Sequence, residues 1–271
     1  MFAFFKRRKL CRRESLRAQP FPAEWRQTLT TRFPLFNRLS ESDQRELEGH
    51  IQVFLAEKNF EGCGGFQVTD DVKVLIAAQA CLLLLHRETD YYPRLRTILV
   101  YPDTYVAKTR WHERDEDTGR DARARLGESW DRGAVVLAWS STVAGAANVA
   151  DGQNLVFHEF AHQLDQEGGP ADGRPSLQCD GISACYVRYL TWARVLGEEY
   201  KQLQEDWAKG HKTLLDQYGA TNAAEFFAVA TECFFEKPRQ MQKKHPALYA
   251  ELKEFYRQDP ITFASPPASG G

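Results

Sequence analysis

Two histidines and a glutamate near the middle of the chain carry the clearest chemistry. The segment from Leu155 to Asp165 reads LVFHEFAHQLD and contains the pattern HExxH at His158, Glu159 and His162. Residues four apart share one face of a helix, so the two imidazoles can converge on one point. Two such nitrogens, each at about 2.0–2.1 Å, make half of a tetrahedral zinc shell. Glu159, one residue along, is placed to take a proton from an attacking water and return it to a leaving amine. The trio therefore points to metal-assisted hydrolysis of a peptide bond. Leu155, Val156, Phe157, Phe160, Ala161 and Leu164 make the segment apolar on most sides. A buried helix has no use for two histidines and a glutamate unless they are paired or ligated.

A hydrolytic zinc takes three protein ligands and leaves one position open. Three carboxylates qualify as the third. Asp165 lies seven residues after His158 on the same helix face. Glu225 and Glu232 are seven apart on one face of AAEFFAVATECFF, among Phe226, Phe227, Val229, Phe234 and Phe235. So apolar a helix is a poor place for a solvated carboxylate. Spacing alone leaves all three open.

The elements that must hold these residues are mostly helical. Trp25, Leu29, Phe33 and Phe36 recur at helical spacing, and Ser40 and Ser42 can cap a helix bearing Leu47, Ile51, Phe54 and Leu55. EGCGGF reads as a glycine-rich turn; without a following GK[ST] it is not a phosphate loop. Asp70 and Asp71 open an apolar helix from Val72 to about His86. Two β-type runs follow, Leu95 to Tyr101 and Val135 to Trp139, separated by a strongly charged stretch, 108–133, expected as exposed hairpins or loops. The HExxH helix starts near Gln153 and ends before Gly168, Gly169 and Pro170. A long helix from Ser183 to about Lys209, the turn YGATN, a helix from about Asn222 to Glu236 and a last one from His245 to Tyr256 complete the pattern. The expected fold class is α+β: mainly helical, with a small mixed sheet. Residues 1–20 are expected as a disordered basic tail and 21–260 as a single domain. Within it a helical part runs to about residue 90 and a catalytic part covers about 91–260. Residues 261–271 are expected as a second disordered tail.

Composition narrows the function classes. The 271 residues are 43% hydrophobic and 27% charged, which suits a globular chain, and the net charge of −2 gives no global field for nucleic acid. No apolar run approaches the roughly 20 residues of a membrane helix; Gln79 interrupts the longest, Val74 to Leu85. The N-terminal MFAFFKRRKLCRRESLR has its apolar residues before its basic ones, the reverse of a secretory signal. The expected compartment is the cytoplasm, with a weak contact of Phe2, Phe4 and Phe5 with an anionic membrane as a secondary reading. The six cysteines form no CxxC pair and are expected as free thiols.

HEFAHQLD followed by QYGATNAAEFFAVATECFF resembles the Mlc titration factor A family of bacterial metallopeptidases, and the zinc domain of anthrax lethal factor is similar around the same two segments. The resemblance to the titration factor runs from about Phe21 to Pro260 and includes ILVYP, AVVLAW and FYRQDP. It implies a zincin-like metallopeptidase domain in which Glu225 is the third zinc ligand and Tyr218, seven residues earlier, sits beside the metal. Tyr218 would then donate a hydrogen bond to the developing oxyanion. Asp165 and Glu232 would orient ligands or neighbouring backbone. The resemblance also implies a second role, binding a transcriptional repressor of the Mlc type, beside or instead of hydrolysis of a peptide or protein substrate. The run Val135 to Trp139 could offer an edge to which a substrate adds as a further strand.

Overall fold

The apolar helix beginning at Asp70 shows how the fold resolves what looked like an interruption. Gln79 is fully buried, and its amide donates to the carbonyls of Leu75 (3.1 Å) and Thr142 (3.5 Å), so the helix keeps a polar residue in its core by satisfying it internally. The computed structural model describes residues 2–103, 133–179 and 181–263. The chain divides into two compact units, one of Met1–Leu85, Arg96–Ala147 and Phe263–Gly271, the other of His86–Leu95 and Asn148–Thr262.

In the first unit the helices are α1 (Phe2–Arg17), α2 (Ala23–Arg32), α3 (Pro34–Arg38), α4 (Glu41–Glu57), α5 (Asp70–Leu82) and α6 (Trp139–Ala147). Ser40 caps α4 by accepting from the Asp43 N–H at 3.1 Å. The strands β1 (Asn59–Gly62), β2 (Thr97–Tyr101) and β3 (Ala134–Ala138) pair in the order β1-β2-β3. Both pairings are parallel, with Asn59 opposite Thr97 and Thr97 opposite Ala134. The sheet is therefore parallel rather than mixed. β1 was not expected as a strand, because its four residues are largely exposed and carry no apolar alternation. Among the described residues β3 is an edge strand.

In the second unit the helices are α7 (Leu155–Asp165), α8 (Ile182–Ala208), α9 (Ala223–Glu236), α10 (Pro238–Lys244) and α11 (Pro246–Tyr256), with 3-10 turns at Gln217–Ala220 and Pro260–Thr262. α9 is buried from Ala224 to Glu236 and packs along α7. Aromatic rings fill this core: Phe157 meets Phe235 at 5.3 Å between centroids, Tyr92 meets Phe160 at 4.8 Å, and Trp192, Phe227 and Phe255 meet one another. Each buried Phe contributes about 1.5–3 kcal/mol, so the two site-bearing helices rest on a rigid base.

Four expectations are corrected. The N-terminal stretch expected as a disordered tail forms α1. It has no glycine or proline up to Arg17, and Arg13 is buried in a two-pronged ion pair with Glu57 of α4, 2.8 Å at each prong. The strands, expected with the catalytic part, group with the N-terminal helices, and the second unit is built of helices and turns alone among the described residues. Cys179 and Cys185 form a disulfide: the loop before α8 folds back on its first turn and brings their Cα atoms to 5.2 Å, a closeness that spacing in sequence does not announce. The C-terminal tail expected from residue 261 begins inside the turn Pro260–Thr262. The rest of that tail, and nearly all of the charged stretch, lie outside the described residues. Among the described residues no helix is long and apolar enough to cross a membrane.

Candidate metal centre

α7 begins at Asn154, whose side chain accepts from the Phe157 N–H at 3.0 Å. Carboxylates of α9 hold the exposed backbone donors around this start. Glu232 accepts from Asn154 N at 2.5 Å, and Glu236 accepts from Gly152 N (2.9 Å) and Gln153 N (3.1 Å). Their oxygens accept from N–H groups at the start of the helix, which the helix itself leaves without partners. The start of α7 is thereby fixed against the second half of α9.

α9 has its own cap. Asn222 accepts from the Glu225 N–H at 3.0 Å, which makes Glu225 the third residue of the helix. A glutamate at that position often turns back to the cap; here its carboxylate reaches the histidines of α7.

Three atoms converge there. Nε2 of His158 lies 2.9 Å from Oε2 of Glu225, Nε2 of His162 lies 3.4 Å from the same oxygen, and the two Nε2 atoms are 3.3 Å apart. The imidazoles meet edge to face, with 75° between their planes. Ligand atoms around a tetrahedral zinc, each about 2.0–2.1 Å from it, are about 3.3–3.4 Å from one another. Two edges of the triangle have that length and the third, at 2.9 Å, is a hydrogen-bond distance; two imidazoles and one carboxylate are ligand types that zinc takes. The donor set fits the ion.

Glu232 completes the arrangement from behind. Its Oε1 lies 2.7 Å from Nδ1 of His158. In neutral His158 that bond puts the remaining proton on Nδ1 and leaves the Nε2 lone pair facing the triangle. Burial pulls the His158 pKa down, but the hydrogen bonds to Glu225 and Glu232 and the charges of Glu232 and Glu159 overcome it and push it up to about 10. Burial would raise the Glu225 carboxyl; the two histidines outweigh it and hold the group well below its usual range. His162 is depressed by burial and by the neighbouring His158. The pocket thus favours one added positive charge among its carboxylates, which a proton or a metal cation can supply.

Glu159 is buried beside the triangle, close enough for its charge to act on His158. The Tyr218 ring lies 6.0 Å from that of His158. Its turn is tied to the start of α7 through Asp216, which accepts from Tyr218 N at 2.8 Å and from the Gln153 side chain at 3.2 Å. Gly219 serves this turn by closeness and not by backbone freedom: a Cβ there would stand 3.2 Å from Leu203 and 3.3 Å from Val229.

The structure brings together His158, His162, Glu225, Glu159 and Tyr218. It does not bring Asp165 to the triangle. That side chain is buried at the far end of α7, where its Oδ2 accepts from Gly173 N at 2.7 Å. Burial, against the bond from Gly173, raises its carboxyl to about 7. Glu236 was not singled out in the sequence, although its place four residues after Glu232 on an apolar helix was a signal for it.

Two helices aim two imidazoles and a carboxylate at one point, a group of a kind that can hold a metal ion. The chain belongs to the family described as glucose-regulated metallo-peptidase M90, which matches residues 6–257. It is 41% identical over 251 residues to a protein of Synechocystis sp. named uncharacterized protein slr2042, covering 92% of this chain and 89% of that protein. It is 30% identical over 242 residues to Mlc titration factor A of Serratia proteamaculans, covering 88% of each chain. The corresponding figure for Mlc titration factor A of Klebsiella pneumoniae (strain 342) is 31% over 243 residues, covering 88% and 86%. The family is one of metallo-peptidases, and the match begins inside α1, the stretch expected as a tail.

Proposed function

We propose that this chain is a zinc-dependent peptidase of the zincin-like kind. His158, His162 and Glu225 hold one Zn²⁺. The observation that carries the reading is the triangle formed by both Nε2 atoms and a single Glu225 oxygen. Zinc bound there supplies Lewis acidity to the scissile carbonyl and makes a water more acidic. Glu159 accepts the proton of the attacking water and delivers it to the leaving amine. Glu232 keeps His158 in the tautomer that presents Nε2. Tyr218 donates a hydrogen bond from its phenol O–H to the oxygen on which charge develops. The substrate is a peptide or protein, and the compartment the cytoplasm.

The test is metal analysis of the purified protein. About one Zn²⁺ per chain is expected in the wild type, and His158→Ala, His162→Ala and Glu225→Ala should each lose tight binding. Stoichiometric zinc in all three variants would overturn the ligand set.

A second reading is supported by the names of the relatives: the chain binds a transcriptional repressor of the Mlc type. A purified repressor of that type and the Glu159→Gln variant separate the two. Repressor binding that survives loss of hydrolysis marks binding as an activity in its own right.

A further inference from the structure

The loop between α7 and α8 holds a contact that the peptidase reading does not use. Oδ2 of Asp165 accepts from Gly173 N at 2.7 Å. The carbonyl of Gly173 accepts from Nε1 of Trp192 at 2.9 Å, and Trp192 is itself fully buried against Phe227 and Phe255. Gly173 has φ +77°, and a Cβ on it would stand 2.6 Å from the carbonyl oxygen of Ala223 and 3.0 Å from its carbon. Only glycine allows this approach. Ala223 is the first residue of α9, and Glu225 lies two residues on.

We propose that Asp165 is a positioning residue that sets Glu225 through Gly173 and Ala223, and not through the histidines. The proposal rests on the metal-site reading above. α7 and α9 are clamped at two ends. At the start of α7, Glu232 and Glu236 hold the backbone of residues 152–154. At its end, Asp165 holds Gly173 against the start of α9. His158 and His162 lie between the two clamps on α7, and Glu225 lies beside the second. The aspartate therefore fixes the distance from the histidine-bearing helix to the helix that bears the third ligand. Trp192 holds Gly173 from a third side, so the glycine cannot follow Ala223 if α9 shifts.

This role needs an acceptor at Asp165 Oδ2 and no negative charge. Asparagine supplies the acceptor; alanine does not. The experiment measures Zn²⁺ affinity by competition with a chromophoric chelator, with thermal unfolding as a control, on the full-length wild type and on Asp165→Asn, Asp165→Ala, Gly173→Ala and the double variant Asp165→Ala/Gly173→Ala. Asp165→Asn should bind zinc within about threefold of the wild type. Asp165→Ala and Gly173→Ala should each lose about 10–100-fold, the range for residues that orient metal ligands. The double variant should be no worse than the weaker single, because both act on one contact. Loss of more than tenfold in Asp165→Asn would overturn the proposal, as would wild-type affinity in either single variant that folds. If the alanine variant does not fold, Asp165→Asn and Gly173→Ala carry the test. A wild type that binds no zinc would instead sink the metal-site reading, which keeps the two failures distinct.

Discussion

The Oε1 atom of Glu232 lies 2.7 Å from Nδ1 of His158, and its other oxygen takes the Asn154 backbone N–H at 2.5 Å. One buried carboxylate thus orients the His158 imidazole and anchors the first turn of the helix that carries it. Removing it should disturb the site without removing a ligand. Glu232→Gln should weaken zinc affinity by about 10–100-fold and leave the zinc-loaded stoichiometry at one per chain. Unchanged affinity in a folded Glu232→Gln protein would mean that the His158 tautomer is set by other contacts.

Tyr218 should act on the transition state and leave the ground state alone. Its turn is fixed beside His158 by Asp216 and Gln153. Loss of one preorganised donor to an oxyanion costs about 10²–10³ in kcat. Tyr218→Phe should show that fall with zinc content, Tm and KM nearly unchanged. An unchanged kcat would make Tyr218 a packing residue; a loss of zinc would make it a ligand.

Glu236 predicts a pH dependence of stability. Burial, with the nearby charge of Asp151, raises its carboxyl from 4.5 to about 8, and Glu232 on the same helix adds to the rise while Asn154 opposes it. A folded-state pKa above the unfolded one means that the folded protein holds the proton more tightly. The stabilisation is therefore complete below the unfolded value and fades as pH rises towards about 8. Glu236→Gln keeps an acceptor for Gly152 and Gln153 and removes the titration. The Tm of this variant relative to the wild type should rise as pH goes from about 5 to about 8.5. A Tm difference that stays flat over that range would show that Glu236 ionises in the fold without cost.

Much of the site was legible because it is local. His158, Glu159 and His162 lie within five residues, and a helix alone brings them together. Glu225 and Glu232 stood out because carboxylates on so apolar a helix need partners, but periodicity could not say which of them meets Nε2 of His158 and which meets Nδ1. That choice is made by packing between α7 and α9, 67 to 74 residues apart in sequence. Asp165 was one of three carboxylates that spacing left open as a ligand, and the fold turns it to a backbone N–H away from the triangle. Its partner, Gly173, lies in a loop whose path is set by Trp192 and Ala223, and no periodic signal encodes that path. The same limit hid the pairing of Arg13 with Glu57 and the bond between Cys179 and Cys185, since both depend on where separate segments meet. β1 went unseen because a short exposed strand at the edge of a sheet carries no hydrophobic alternation.

The most direct test of the central claim is the rate of peptide-bond cleavage by zinc-loaded wild type and zinc-loaded Glu159→Gln, measured on one peptide library with equal zinc content confirmed in both. Glutamine keeps the shape of Glu159 and cannot accept the proton. The wild type should cleave, and the variant should be slower by about 10²–10⁴. Cleavage at equal rates, or a zinc-loaded wild type that cleaves no peptide, would contradict the assignment of this site as a peptidase centre with Glu159 as its base.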